Sequence, residues 1–250
     1  MKIAAISDIH GNLLALDAVL ADIRLRAVDV VVNLGDILSG ALQPLETADR
    51  LIPLQLPTIR GNHERQVLAG DPARMGLSDL RAFSSLRADQ MAWIDSLPAT
   101  LRLNDDVLLV HGTPDSDLTY FLDVVSEQGA RAATQVEAAR SLGDTTASLI
   151  LCGHTHVPRV MPLDDGRVIV NPGSVGLQAY KDDRPFPHRM ETGSPHARYA
   201  TATLGADGWE VELHAVAYDW NAAAAMAVQN GRPDWVAPLL TGYVESPPGA

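Results

Sequence analysis

Apolar positions along the chain alternate between short continuous runs and helical spacings, beginning with the first residues. Lys2-Ile3-Ala4-Ala5-Ile6 is a short apolar strand that stops at Ser7-Asp8. From Leu13 to Arg26, apolar residues at 13, 16, 19, 20 and 23 recur at the spacing of one helix face. Val28 to Asn33 reads as a second buried strand ending at Gly35-Asp36. Leu45 to Ile52 reads as a short helix, and Pro57-Thr58-Ile59 as a third strand ending at Gly61-Asn62. This alternation predicts βαβ units and a sheet that is at least partly parallel. The span Glu64 to Pro98 is helical in tone, with breaks at Asp71-Pro72 and Gly76. Further strands are predicted over Thr100–Leu103, Val107–Val110, Ser148–Cys152, Arg167–Val170, Tyr199–Leu204 and Glu210–Val216. The turn Ala206-Asp207-Gly208 joins the last two as a hairpin. Four consecutive alanines favour a helix from Asn221 to Gln229, and the tail Ser246 to Ala250 is expected to fray. With no internal repeat and no linker-like shift in composition, the 250 residues are expected to form one domain.

The polar residues that interrupt this pattern fall at strand ends, where ligands of α/β sheets bind. The predicted strands run into Asp8-Ile9-His10-Gly11-Asn12, Gly35-Asp36, Gly61-Asn62-His63-Glu64, His111-Gly112 and Gly153-His154-Thr155-His156. Asp, His and Asn side chains are thereby delivered to one edge of a sheet, and the adjoining glycines permit tight turns. A mixed set of carboxylate, imidazole and amide donors suits first-row metal ions and not a closed thiolate site. One carboxylate can place an oxygen on each of two cations. Two ions about 3.5–4 Å apart can polarise a phosphoryl group and generate hydroxide at neutral pH.

Composition narrows the partners. Apolar residues make up 46% of the chain and charged residues 20%, as in an ordinary soluble enzyme. The longest apolar runs, Val28 to Val32 and Val107 to Val110, are too short to span a membrane, and Ile3 to Ile6 is too short for a secretory signal. A cytoplasmic location is the expectation. The single cysteine, Cys152, follows Leu149-Ile150-Leu151 and is expected to be buried and inert. With 19 Lys and Arg against 31 Asp and Glu, the net charge of -12 argues against long nucleic acid as the main ligand. Nothing in the sequence speaks to oligomeric state.

Taken in order, the polar blocks resemble the calcineurin-like metallophosphoesterase superfamily. Its signature runs Asp-x-His, Gly-Asp, Gly-Asn-His-Asp/Glu, a later His-Gly, and Gly-His-x-His. The resemblance spans Lys2 to Gly176. The second half, with Asn171-Pro172-Gly173-Ser174-Val175-Gly176 and Ala197-Arg198-Tyr199-Ala200, is similar to a subgroup of small bacterial metallophosphoesterases. The resemblance implies a four-layer α/β/β/α sandwich and phosphoester hydrolysis by direct attack of metal-bound hydroxide. By the same resemblance, Asp8, His10 and His156 would hold one ion, Asn62, His111 and His154 a second, and Asp36 would bridge them. The ions would be two divalent or trivalent cations of manganese, iron, zinc or nickel. His63 would act as general acid for the leaving group or as an electrostatic clamp on the phosphoryl oxygens. The substrate would be small, soluble and phosphorylated, possibly a nucleotide, with monoester and diester both open. Two rivals remain: a non-catalytic scaffold of this fold, and a protein phosphatase. Protein phosphatases of the superfamily carry an arginine shortly after the bridging aspartate, whereas the run Gly35-Asp36-Ile37-Leu38-Ser39-Gly40 has none.

Other residues near these blocks admit two readings each. Asn12 either caps the helix that starts at Leu13 or contacts substrate. Arg60 could reach a phosphate or pair with a carboxylate, and Glu64 reads as structural. Asn171 to Ser174 reads as a turn packed beneath the site. The stretch Leu177 to Arg198 looks like an insertion relative to the subgroup. Its Tyr180, Lys181, Arg184 and Arg189 are expected to contact substrate, the alternative being a solvated loop.

Overall fold

The computed structural model describes residues 1–245, so the tail predicted to fray, Ser246 to Ala250, lies outside the described residues. In chain order the strands begin with β1 (Lys2–Ile6), β2 (Val30–Asn33), β3 (Leu101–Asn104), β4 (Val107–Leu109), β5 (Asp123–Ser126) and β6 (Gly129–Ala132). They continue with β7 (Leu149–Leu151), β8 (Arg159–Pro162), β9 (Val168–Asn171), β10 (Ala179–Asp182), β11 (His188–Glu191), β12 (Ala197–Gly205) and β13 (Gly208–Val216). The helices are α1 (Leu13–Arg24), α2 (Pro44–Leu51), α3 (Asn62–Leu68), α4 (Leu77–Ser85), α5 (Ala88–Ser96), α6 (Gln135–Arg140), α7 (Trp220–Gln229) and α8 (Val236–Thr241).

Two sheets carry the core. One has the order β13-β12-β1-β2, with β1 and β2 parallel; the other has the order β3-β4-β7-β9-β8, with β4, β7 and β9 parallel. The two-residue period of each strand sorts side chains to opposite faces. Ile3 and Ala5 point inward with Val32 and Leu34 against Val107, Leu109, Leu149, Leu151, Val168 and Val170 of the facing sheet. Ala4 and Ile6 point outward onto Leu16, Val19, Leu20 and Ile23 of α1. On the far side Leu108, Val110, Ile150, Cys152 and Ile169 meet Phe121, Leu122 and Ala138 of α6. The result is the four-layer α/β/β/α sandwich, and burial on both faces explains why the strands read as unbroken apolar runs. Burial pushes the Cys152 thiol pKa well up, which keeps it protonated and unreactive.

Several elements differ from the sequence expectation. The third strand at Pro57–Ile59 shrinks to a single parallel bridge, Asn33 to Thr58: Asn33 N donates to the Pro57 carbonyl and Ile59 N to that of Asn33 before the chain turns at Gly61. The helical span Glu64 to Pro98 breaks once more, between α4 and α5. The stretch Leu177 to Arg198 holds an antiparallel hairpin, β10–β11, with Tyr180 opposite Met190 and Lys181 opposite Arg189. A second hairpin, β5–β6, together with α6 and β8, has no counterpart in the predicted pattern. These segments are short and carry mixed polar sequence, so their order comes from packing on the second sheet. Among the described residues no helix is long and apolar enough to cross a membrane.

Candidate metal centre

The turns beyond β1, β2, β4 and β7, together with the first residue of α3, converge at one end of the sandwich. Holding side chains there costs the backbone. Among the described residues, Asp8 (φ 54°), His10 (φ 51°), Asp36 (φ 53°), His154 (φ 70°) and His156 (φ 62°) all take the left-handed conformation that non-glycine residues avoid. Strain of this kind concentrates at functional sites. Gly61 is glycine for a different reason: any Cβ there would run into the Asp36 carboxylate and crowd the Asp36 amide and the His111 ring. Glu64 ties two of the turns together. Its buried carboxylate accepts from the backbone amides of Asp36 (2.9 Å), Ile37 (2.8 Å) and Gly61 (2.9 Å), a structural role.

Two groups form. Asp8, His10 and His156 each offer a ligand atom, all within 4.8 Å of one another, and Asp36, His111 and His154 do the same. Asn62 joins the second group through Oδ1, 3.2 Å from His111 Nε2. The hydrogen bonds set the imidazoles as ligands. His10 Nδ1 donates to the Ser39 carbonyl at 2.7 Å, His111 Nδ1 to Leu34 at 2.8 Å and His156 Nδ1 to Leu177 at 2.7 Å. With Nδ1 donating outward, each ring turns its Nε2 inward, the arrangement that typically orients metal-bound histidines. The Nε2 atoms of His10 and His156 stand 3.0 Å apart with no proton to share, an arrangement that a cation between them would relieve. His154 Nε2 meets the Leu118 carbonyl at 3.3 Å, which leaves its Nδ1 as the ligand.

The electrostatics agree with a cation site. Burial lowers the pKa of His10 to about 4 and that of His154 to about 3, and holds His156 well below its ordinary value, so all three rings stay neutral. Burial likewise pushes the Asp8 carboxyl up to about 7. Burial also works against ionised Asp36, but the His111 and His63 imidazoles outweigh it and hold Asp36 well below the carboxylate range. For His111 burial pulls down, yet the Asp36 carboxylate 3.1 Å away raises its pKa to about 10. Positive charge is thus stabilised where a metal ion would sit.

The other predicted residues divide. The His63 amide donates to Asp36 Oδ1 at 3.0 Å, and its Nδ1 donates to Asp79 Oδ1 at 2.6 Å, leaving Nε2 free beside the His10 ring. Burial acts to lower the His63 pKa, but Asp36 and Asp79 raise it to about 9. Asp79 was missed by sequence reasoning, because a lone aspartate in a helical stretch carries no local signal. Asn12 is corrected as a substrate contact. It is fully buried, its Oδ1 caps α1 at Ala15 N (3.1 Å), and its Nδ2 donates to the Gly176 carbonyl at 2.9 Å. Asn171 and Ser174 brace the turns from beneath, donating to the carbonyls of Gly153 (2.7 Å) and Asp8 (2.7 Å).

A cleft of about 1650 Å³ opens over the centre. Tyr180, Lys181 and Arg184 from the β10–β11 hairpin line it, while Arg60 and Arg189 do not. Arg189, directly across from Lys181 and so on the same face of the hairpin, pairs with Glu245 at 3.0 Å and does not reach into the cleft. Arg74 lines the cleft from the α3–α4 connection; like Lys181 and Arg184, it forms no ion pair among the described residues. The Tyr180 side chain lines the cleft while its hydroxyl donates to the His154 carbonyl at 3.1 Å.

The sequence profile of the calcineurin-like phosphoesterase superfamily domain matches residues 1–187. The chain is similar to a metallophosphoesterase from Sphaerobacter thermophilus of known structure, at 28% identity and a TM-score of 0.73, over 96% of this chain and 98% of that one. It is also similar to an uncharacterized protein of Methanocaldococcus jannaschii, 27% identical across 95% of this chain and 96% of that protein.

Proposed function

We propose, since this chain belongs to the calcineurin-like phosphoesterase superfamily, that it is a two-metal hydrolase of small, soluble phosphoesters. The observation that carries this reading is the pair of buried ligand groups, each converging within 4.8 Å and each with its imidazoles oriented by protein acceptors. In this reading Asp8, His10 and His156 hold one ion, Asn62, His111 and His154 the other, and Asp36 both. Manganese, iron, zinc and nickel all suit these donors. Bound there, the pair would polarise the phosphoryl oxygens and supply an activated water as nucleophile. His63 presents Nε2 to the leaving-group side, and Asp79 fixes its tautomer from behind, so that a proton can pass to the departing oxygen. Arg74, Lys181 and Arg184 line the cleft with free positive charge in an otherwise acidic chain, and would hold the anionic remainder of a substrate larger than a simple ester. A scaffold would have no use for the unbroken ligand set and the oriented His63. We place the protein in the cytoplasm. The test is hydrolysis of nitrophenyl mono- and diesters, cyclic nucleotides and dinucleoside polyphosphates by manganese-loaded protein. Turnover lost on chelation and restored by metal is expected; no turnover on any of these with two ions bound would refute the reading.

A further inference from the structure

A chain of hydrogen bonds runs from the β10–β11 hairpin to the metal centre, and its ends determine its direction. His188 Nδ1 lies 2.8 Å from the Phe186 carbonyl, and its Nε2 lies 2.9 Å from the Tyr120 hydroxyl. The Tyr120 hydroxyl is 2.6 Å from that of Tyr180, which meets the carbonyl of His154 at 3.1 Å. Both terminal groups are carbonyl oxygens, which only accept. The four gaps therefore need four protons, all directed outward from His188. The two tyrosines supply one each. An imidazole with its proton on Nε2 fills the three gaps that lead to His154.

The last link matters because of what it grips. His154 sits at φ 70°, a conformation its side chain disfavours. Its amide donates to the Asp8 carboxylate at 3.1 and 3.2 Å, and its carbonyl accepts from Tyr180. The turn that presents both His154 and His156 is thus clamped at one peptide from each side, and the Tyr180 ring packs edge-on against His156, 4.6 Å between centroids. We infer that Tyr180, Tyr120 and His188 form a positioning relay by which the hairpin holds the His154 turn in ligand geometry. The inference rests on the reading of His154 and His156 as metal ligands. His188 is buried, and the charged groups on elements packed against it are few. Asp182 is its cross-strand partner, Arg131 on β6 is bound to Glu137, and Asp123 on β5 is bound to Arg159.

The test measures manganese dissociation constants by calorimetry for wild type and Tyr180→Phe. The pair is repeated in a His188→Leu background, which removes the imidazole that orders Tyr120. Wild type is expected to hold two ions, and Tyr180→Phe to hold both with one bound about fivefold to tenfold more weakly, the effect of one lost hydrogen bond. That ratio should shrink in the His188→Leu background, where Tyr180 is no longer oriented through Tyr120. Two ions in wild type with equal affinities in Tyr180→Phe would overturn the relay and leave the metal reading intact. The same ratio with and without the His188 imidazole would remove His188 from the relay. Fewer than two ions in wild type would overturn the metal reading, and the relay with it.

Discussion

At the floor of the cleft the candidate ligands sit two to five residues beyond strand ends or at the start of α3, and most are buried, with the second ring nitrogens of His10, His111 and His156 held by backbone carbonyls. The walls are assembled otherwise. Arg65 to Asp79, Leu118 to Val125, the hairpin residues Ala179 to Pro185, and Arg232 to Val244 approach from four parts of the chain, and Arg74, Lys181 and Arg184 are exposed. The floor is a consequence of sheet topology: parallel strands deliver their carboxyl ends to one edge, and a ligand placed in the following turn can go nowhere else. The walls answer to no such rule, since loops there depend on what they pack against. Floor chemistry should therefore be intolerant of substitution and general across substrates, while wall substitutions should discriminate among substrates.

The largest effect belongs to Asp36→Ala. Removing the carboxylate that contacts His111 and the His63 amide should lower turnover by at least roughly 10³-fold on every ester, matching the several kcal/mol that metal charge contributes to such transition states. A loss restricted to some substrates would break the distinction between floor and wall. Next comes His63→Ala, expected to leave metal binding intact while slowing turnover roughly 10²–10⁴-fold for a poor leaving group and far less for nitrophenolate. Equal losses for both would mean that His63 clamps charge without donating a proton. Asp79→Asn should follow the same leaving-group pattern with a smaller loss, about tenfold to a hundredfold, because it disturbs only the orientation of His63.

The smallest effects lie on the wall. Replacing Arg74, Lys181 and Arg184 with Ala should raise KM about threefold to tenfold for polyanionic substrates, as befits exposed charges, and leave nitrophenyl esters unchanged. Arg189→Ala, tied to Glu245 outside the cleft, should change neither. Steady-state kinetics on one large and one small substrate read out both; a KM effect from Arg189 equal to that of Lys181 would erase the distinction between the free and the paired cation.

Legibility in the sequence follows the same division. The sandwich was readable because Ile3 to Ile6, Val107 to Val110 and Leu149 to Leu151 are buried on both faces, and such strands leave continuous apolar runs. The residues that converge as candidate ligands were readable as a group because the motif blocks are local and their order tracks the strands. Asp79, Tyr120 and His188 were not, since each acquires its partner only through tertiary packing: His63 on α3 for Asp79, and Tyr180 on another segment for Tyr120. Asn12 shows the limit within a motif. Its neighbours are ligand candidates, yet its own amide is used up capping α1 and binding Gly176, which composition alone could not separate from a substrate contact. The β10–β11 hairpin was read as an insertion, whereas four registered pairs fix it and Glu245 engages Arg189.

The most direct test of the account is a crystal structure of manganese-loaded protein with anomalous diffraction recorded at the metal edge. The account predicts two peaks, one among Asp8, His10 and His156 and one among Asn62, His111 and His154, with the Asp36 carboxylate touching both. A single peak, or ions bound away from these residues, would contradict it.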